Sequence, residues 1–246
     1  MNFLKLDYTQ FFSHIQNINL TEGDVLLVDK PYKVTSFEVV NKIKIALRKT
    51  FSDKTTEGEP RSAIKVGHAG TLDPLATGLL IICTGKKTKT IEQIQAMEKE
   101  YTGTFIVGST TPCFDLEQEV DATFATEHIT EKLILEAAQK FTGKQMQTPP
   151  VFSAVKVGGK RAYDLARSGE EEIAVKAKEV EIKVFEITRI AIPEIDFKVV
   201  CSKGTYIRSL ARDFGLALGS GAHLGALRRT RTGEFNVDNA IKASAK

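Results

Sequence analysis

An α+β fold built around a mixed sheet is the architecture that this 246-residue chain predicts. Three observations carry that expectation. Short apolar runs that read as strands alternate irregularly with segments of helical periodicity, so a regular βαβ repeat does not fit. No internal repeat or low-complexity tract runs through the chain. Two of the strands face each other across a proline turn, which makes them an antiparallel pair.

The elements follow in order. Gly23-Asp24-Val25-Leu26-Leu27-Val28-Asp29 reads as a short strand ending at Lys30-Pro31. Thr35-Ser36-Phe37-Glu38 forms a capping box that opens a helix, with Val39, Val40, Ile43, Ala46 and Leu47 at helical spacing. The polar stretch 49–61 is expected to be a mobile loop. Leu79-Leu80-Ile81-Ile82-Cys83 is a continuous apolar run, as a buried strand would be. Tyr101 to Val107 reads as a strand, and Thr130 to Phe141 as a helix closed by Gly143. Residues 179–190 and 195–201 form the antiparallel pair, turning at Ile192-Pro193-Glu194. Thr205 to Leu218 carries Ile207, Leu210, Ala211, Phe214 and Leu218 on one stripe, with Gly219 as its C-cap. No linker separates these segments, so a single domain over 1–246 is expected.

Composition narrows the setting. The hydrophobic share is 42% and the charged share 26%, values of a soluble globular protein. No apolar run approaches the ~20 residues that span a bilayer, and the N-terminus lacks the parts of a signal peptide, so a cytoplasmic location is expected. The three cysteines, Cys83, Cys113 and Cys201, are widely spaced and suggest buried thiols, without a disulfide framework or a zinc pattern. The net charge is only +3 but unevenly spread. Residues 92–136 are strongly acidic, whereas 140–167 (Lys140, Lys144, Lys156, Lys160, Arg161, Arg167) and 198–231 (with Arg208, Arg212, Arg228, Arg229 and Arg231) are basic. Two basic segments beside an acidic one form either ordinary solvated faces or a positive surface able to take a phosphate backbone.

The chemistry concentrates in Gly67-His68-Ala69-Gly70-Thr71-Leu72-Asp73-Pro74-Leu75-Ala76-Thr77-Gly78. Pro74 biases Asp73 towards an extended or turn conformation. The glycines permit positive φ and close approach of a partner. From the residues alone this is either an active-site loop or an ordinary Asx turn. The chain shows no phosphate-binding glycine loop, no dinucleotide fingerprint and no metal-ligand spacing among its four histidines, so no cofactor and no metal are expected.

This run closely resembles the catalytic motif of the TruB-type tRNA pseudouridine synthases. Asp29-Lys30-Pro31-Tyr32-Lys33-Val34-Thr35-Ser36 resembles the family's first motif, and Lys99-Glu100-Tyr101 its tyrosine segment. Ser202-Lys203-Gly204-Thr205-Tyr206-Ile207-Arg208-Ser209 resembles its arginine motif, followed by Gly221-Ala222-His223-Leu224 and Leu227-Arg228-Arg229. The matches come in the family's order and cover roughly residues 24 to 232. The resemblance implies the pseudouridine synthase fold, a mixed, largely antiparallel central sheet flanked by helices. It implies isomerisation of uridine 55 in the tRNA T-loop, with the base flipped out of its stack and Asp73 as nucleophile.

The same resemblance gives Tyr101 and Arg208 catalytic places. Arg208 would orient the Asp73 carboxylate, and Tyr101 would stack on the base and take part in proton transfer. His68 would hold or replace the flipped base, and Lys30 would play a supporting, structural part. Tyr206, Lys156, Lys160, Arg161, Arg228 and Arg229 would contact RNA, the first two lysines and Arg161 from a mobile clamp around 145–172. On residues alone that clamp is a β-hairpin with a Gly158-Gly159 turn, and the two readings are compatible. The expected partner is the T-arm of tRNA; no membrane, no obligatory protein partner and a monomeric state are expected.

The chain departs from the family pattern where Lys33 replaces a usual glycine and Ala69 a more frequent threonine. It also stops soon after Arg229, so the small C-terminal RNA-binding domain of many relatives is expected to be absent. Three rival functions remain: a catalytically silent tRNA-binding or tRNA-folding protein of the same fold, a hydrolase using Asp73, and a guide-RNA-directed relative. The intact Asp73 and Arg208 speak against the first. Leu75, where a phosphate hydrolase would carry a second carboxylate, speaks against the second. The third would need partner-protein surfaces and the extra C-terminal domain.

Overall fold

A computed structural model describes residues 4–6, 18, 22–51, 65–153, 155–161 and 175–245. The chain forms two compact units, Met1–Lys99 with Arg228–Lys246 and Glu100–Leu227. It enters the second unit inside one strand and leaves it inside another, so neither crossing passes through a linker.

The first unit contains β1 (Leu4–Leu6), β2 (Val25–Lys30), α1 (Ser36–Thr50), β3 (Val66–His68), β4 (Thr77–Thr84), a 3-10 turn at Gly85–Thr90 and α2 (Ile91–Ala96). The second contains β5 (Lys99–Val107, past its first residue), β6 (Ser109–Thr110), β7 (Ala122–Thr123), α3 (Glu131–Lys140), β8 (Gly143–Gln147), β9 (Lys156–Val157), β10 (Lys160–Arg161), β11 (Lys178–Ala191), β12 (Glu194–Cys201) and α4 (Ile207–Ala217). Then β13 (Ala222–Thr232) returns the chain to the first unit, which β14 (Phe235–Asn236) and β15 (Ile241–Ala245) complete.

In the first unit β4 is the organising strand. Its apolar run is buried throughout from Gly78 to Thr84, as a strand covered on both faces must be. Along one edge it pairs antiparallel with β2, from Val25↔Cys83 to Lys30↔Gly78. The other edge is shared: β3 pairs antiparallel at its far end, His68↔Ile82, and the last part of β13 pairs parallel at its start, Arg229↔Gly78. β15 lies parallel to β2, and β1 antiparallel to β15. Leu79, Ile81 and Cys83 form a core with Ala69, Ile94 and Val237. The capping box at the start of α1 forms as expected, with Thr35 and Glu38 bonded reciprocally.

In the second unit the strand order is β13, β5, β12, β11, β8. The antiparallel β11–β12 pair turns at Ile192-Pro193, as the sequence indicates. Phe105 stacks on Phe197 and meets Phe214 at a tilt, in a core with Ile182, Val199, Leu210 and Leu224. The α4 stripe supplies Ile207, Leu210, Ala211 and Phe214 to it. The β9–β10 hairpin turns at Gly158-Gly159, both with positive φ. Cys83, Cys113 and Cys201 are free and buried. Among the described residues no helix is long and apolar enough to cross a membrane. The loop expected at 49–61 lies, from residue 52 on, outside the described residues, as do 154 and 162–172 of the expected clamp.

Candidate active site: a clamped aspartate loop and an arginine cradle

Asp73 sits half-buried in the loop Ala69–Ala76 between β3 and β4. Its carbonyl accepts the Ala76 N–H at 3.1 Å, closing a four-residue turn with Pro74 at the second position, where proline's fixed φ fits. The neighbours of Asp73 are fixed from below. Ser36, 3% exposed at the start of α1, donates its hydroxyl to the Leu72 carbonyl at 3.0 Å and accepts the Leu72 N–H at 2.9 Å. Lys30 is fully buried, and its ammonium donates to the carbonyls of Val34 (2.6 Å), Pro31 and Pro74 (both 3.1 Å). Burial pushes the Lys30 amine down to about 8, against the nearby Asp73 carboxylate, which favours its charge.

Lys33, at the position of the family's usual glycine, has φ 61°. A lysine thus occupies the left-handed region that glycine adopts freely. Its ammonium lies 5.5 Å from the centroid of the exposed Tyr32 ring. His68 ends β3 half-buried, with its Nδ1 buried. Burial, and then the positive charge of Arg229, lower its pKa, so the imidazole is neutral at pH 7.

Arg228 and Arg229, expected at the RNA, are both bonded to partners within the first unit. Arg228 makes a bidentate bond to Asp29, at 2.9 and 2.8 Å. Arg229 is 1% exposed and donates to the main-chain carbonyls of Leu79 and Gly70.

In the second unit, Arg208 sits in the first turn of α4 and is 6% exposed. Its Nη1 donates to the Cys113 carbonyl at 3.2 Å and its Nη2 to the Phe152 carbonyl at 3.0 Å. Its Nε lies 3.5 Å from the Asp115 carboxylate, itself 4% exposed. Asp115 is in turn held by the Glu117 N–H at 2.9 Å and the Cys113 thiol at 3.0 Å. Burial, and then Asp115, push the Cys113 thiol pKa up. Between them Phe114 adopts φ 64°, with the Arg212 guanidinium 5.0 Å from its ring centroid.

The helix start is pinned as well. Gln147, 2% exposed, accepts the Tyr206 N–H at 2.8 Å and donates to the Tyr206 carbonyl at 3.1 Å. Ser209 donates to Thr148 at 2.8 Å. Tyr206 is the half-buried N-cap residue. Tyr101 lies on β5, half-buried, and packs against the second unit's core. Lys156, Lys160 and Arg161 fall on the β9–β10 hairpin.

Sequence reading missed Asp115 and Gln147. The first was one acid among many in an acidic stretch, and the second a lone amide. The only available signal was the local Thr111-Pro112-Cys113-Phe114-Asp115 run, whose turn-forming residues mark a constrained loop.

A fold of this kind occurs in solved structures of other proteins. A chain of the Cbf5–Nop10–Gar1 complex matches with TM-score 0.65 and 30% identity over 94% of this chain, and one of the archaeal box H/ACA sRNP Nop10–Cbf5 complex with TM-score 0.61 and 26% identity over 91%. This chain spans 54% and 52% of those two proteins, about half their length. The class is narrower still by family model. Residues 58–207 match the TruB family pseudouridylate synthase N-terminal domain, and residues 208–244 the tRNA pseudouridylate synthase B C-terminal domain. The second match begins at Arg208, so a C-terminal domain of this family is matched within the chain where the sequence led to the expectation that the relatives' C-terminal domain is absent.

Curated relatives agree. The tRNA pseudouridine synthase B of Flavobacterium johnsoniae is 58% identical over 89% of this chain and 93% of its own, and that of Phocaeicola vulgatus 55% identical over 93% of each. That of Chlorobaculum tepidum is 44% identical over 91% of this chain and 89% of its own. The chain belongs to the TruB family of pseudouridylate synthases.

Proposed function

We propose that this chain isomerises uridine to pseudouridine in tRNA, at position 55 of the T-loop, as a cytoplasmic monomer without a partner protein. The observation that supports this most is the loop of Asp73. A carboxylate sits where its neighbours Leu72 and Pro74 are each bonded to a buried side chain, Ser36 and Lys30, an arrangement suited to chemistry that demands placement.

The reaction is balanced within the substrate. The N1–C1′ bond of the uridine breaks, the C5–C1′ bond forms, the C5 proton leaves and N1 gains one. No electron is transferred to or from another molecule, so no redox partner is required. Asp73 serves as the nucleophile that parts base from sugar, and its own bond to the substrate breaks again as C5 joins C1′. Tyr101 stacks on the base and shuttles the proton, and Arg208 serves the same reaction through its fixed positive charge. The target base leaves its stack before Asp73 reaches it, and the neutral His68 imidazole holds the opened loop. Lys156, Lys160 and Arg161 of the β9–β10 hairpin, with Tyr206, take the RNA arm.

The test is to incubate the purified chain, with nothing added, with an unmodified tRNA transcript and to map the product. Pseudouridine at position 55 is expected. Pseudouridine elsewhere would reject the T-loop assignment, and none at all would favour a tRNA-binding protein without activity. Binding should tighten as salt is lowered, because released counterions drive contacts to phosphate; a flat response would reject the hairpin contacts.

A further inference from the structure

The basic segment 198–231 is a candidate RNA face, yet one of its arginines is placed for another task. Arg229 is 1% exposed on β13. Its Nε donates to the Leu79 carbonyl at 2.7 Å and its Nη2 to the Gly70 carbonyl at 3.0 Å. Gly70 and Leu79 lie on either side of the Asp73 loop. The shared edge of β4 explains why an arginine is needed there. The Ala69 N–H takes the Ile81 carbonyl at 2.8 Å, and the β13 main chain pairs at Thr77 and Gly78. Between them the Leu79 carbonyl faces a gap where β3 has ended, and the guanidinium fills the place of a strand N–H.

The same guanidinium reaches the carbonyl of Gly70, whose φ is 104°. Gly78, at φ 96°, lies so close to the Arg229 main chain that a side chain there would collide with it. One buried side chain thus closes the neck of the loop, while Ser36 fixes Leu72 next to Asp73.

We infer that Arg229 is a positioning residue for Asp73, acting through the loop backbone with Ser36 as its counterpart, and not an RNA contact. This rests on Asp73 being the working carboxylate. A lysine is a compact point charge without the planar fork by which the guanidinium bonds the Leu79 and Gly70 carbonyls from separate nitrogens. A shift of about 1 Å at a reacting group costs on the order of 100-fold in rate.

The experiment compares Arg229→Gln, Arg229→Lys and Ser36→Ala with the wild type. Tritium release from C5-labelled tRNA is followed with enzyme in saturating excess, and tRNA affinity is measured separately. The saturating rate constant is expected to fall on the order of 100-fold in Arg229→Gln and roughly 10-fold in the other two, with affinity within about 2-fold of wild type. Lost affinity at an unaltered rate constant would overturn the inference in favour of RNA contact. An unaltered rate constant with a reduced folded fraction would overturn it in favour of a merely structural role. Should Arg229→Gln not fold, the milder pair decides: wild-type rate constants in both overturn the inference. A wild type that releases no tritium would instead overturn the functional reading itself.

Discussion

Two segments, one in each unit, hold a charged side chain in place by opposite chemistry. Around Asp73, two buried cations, Lys30 and Arg229, grip the backbone carbonyls of a loop that presents an anion. Around Arg208, a buried anion, Asp115, and two carbonyls grip a cation directly. In the first case the side chain that matters is positioned through its main chain, and its carboxylate is half-buried. In the second the guanidinium itself is the gripped group and is almost wholly buried. The loop depends on glycines at positive φ, Gly70 and Gly78, where a β-carbon would collide or strain the backbone. The cradle instead holds a phenylalanine, Phe114, in that region. Backbone held in such a region against its steric preference needs surrounding structure to keep it there, and the Asp115 bonds provide it.

The largest effect is expected where the comparison rests on a buried charge pair. Asp115→Asn keeps the shape but strips Arg208 of its counter-charge, and breaking such a pair costs about 3–5 kcal/mol. Urea denaturation should show it. A variant as stable as wild type would mean that Arg208 does not depend on the Asp115 charge. Next is Lys30→Met, which leaves the carbonyls of Pro31, Val34 and Pro74 without this donor. A loss of roughly 2 kcal/mol in stability is expected, together with slower tritium release; unaltered release would detach the Lys30 grip from Asp73.

A smaller and opposite effect is expected at Lys33. Replacing it with glycine relieves the left-handed backbone strain, worth about 1–2 kcal/mol, less the entropy that glycine costs, about 0.5–1 kcal/mol. A modest rise in melting temperature should follow, and a fall would show that the Tyr32 contact matters more than the strain.

The smallest effect concerns His68. Its folded pKa is lowered, so the folded state resists protonation while the unfolded chain accepts it. Stability is therefore full above pH 6.5, the ordinary histidine value, and declines as pH falls below it. His68→Asn should lose this acid sensitivity, and the difference from wild type should emerge only below pH 6.5. A difference that appears above it would contradict the sign.

Much of this was legible in the chain. The capping box, the buried β4 run, the β11–β12 pair and the α4 stripe announce themselves because local pattern and burial coincide there. Strand β13 does not. Ala222-His223-Leu224-Gly225-Ala226-Leu227-Arg228-Arg229-Thr230-Arg231-Thr232 has no alternation of apolar and polar residues. Its charges read as surface, and only partners distant in sequence, Asp29 for the part-exposed Arg228 and the Leu79 and Gly70 carbonyls for the buried Arg229, tie them into the fold. Asp73 was visible for the converse reason. Its loop is built from neighbours in sequence, with proline and glycines marking the turn. Asp115 and Gln147 do their work through residues 93 and 59 positions away, Arg208 and Tyr206, and no local pattern records such pairs.

The central claim is that Asp73 is the group that acts on the uridine. Tritium release from C5-labelled unmodified tRNA by wild type and Asp73→Asn, at equal tRNA affinity, tests it most directly. The account predicts release by the wild type and none by the variant. Normal turnover by Asp73→Asn would contradict it.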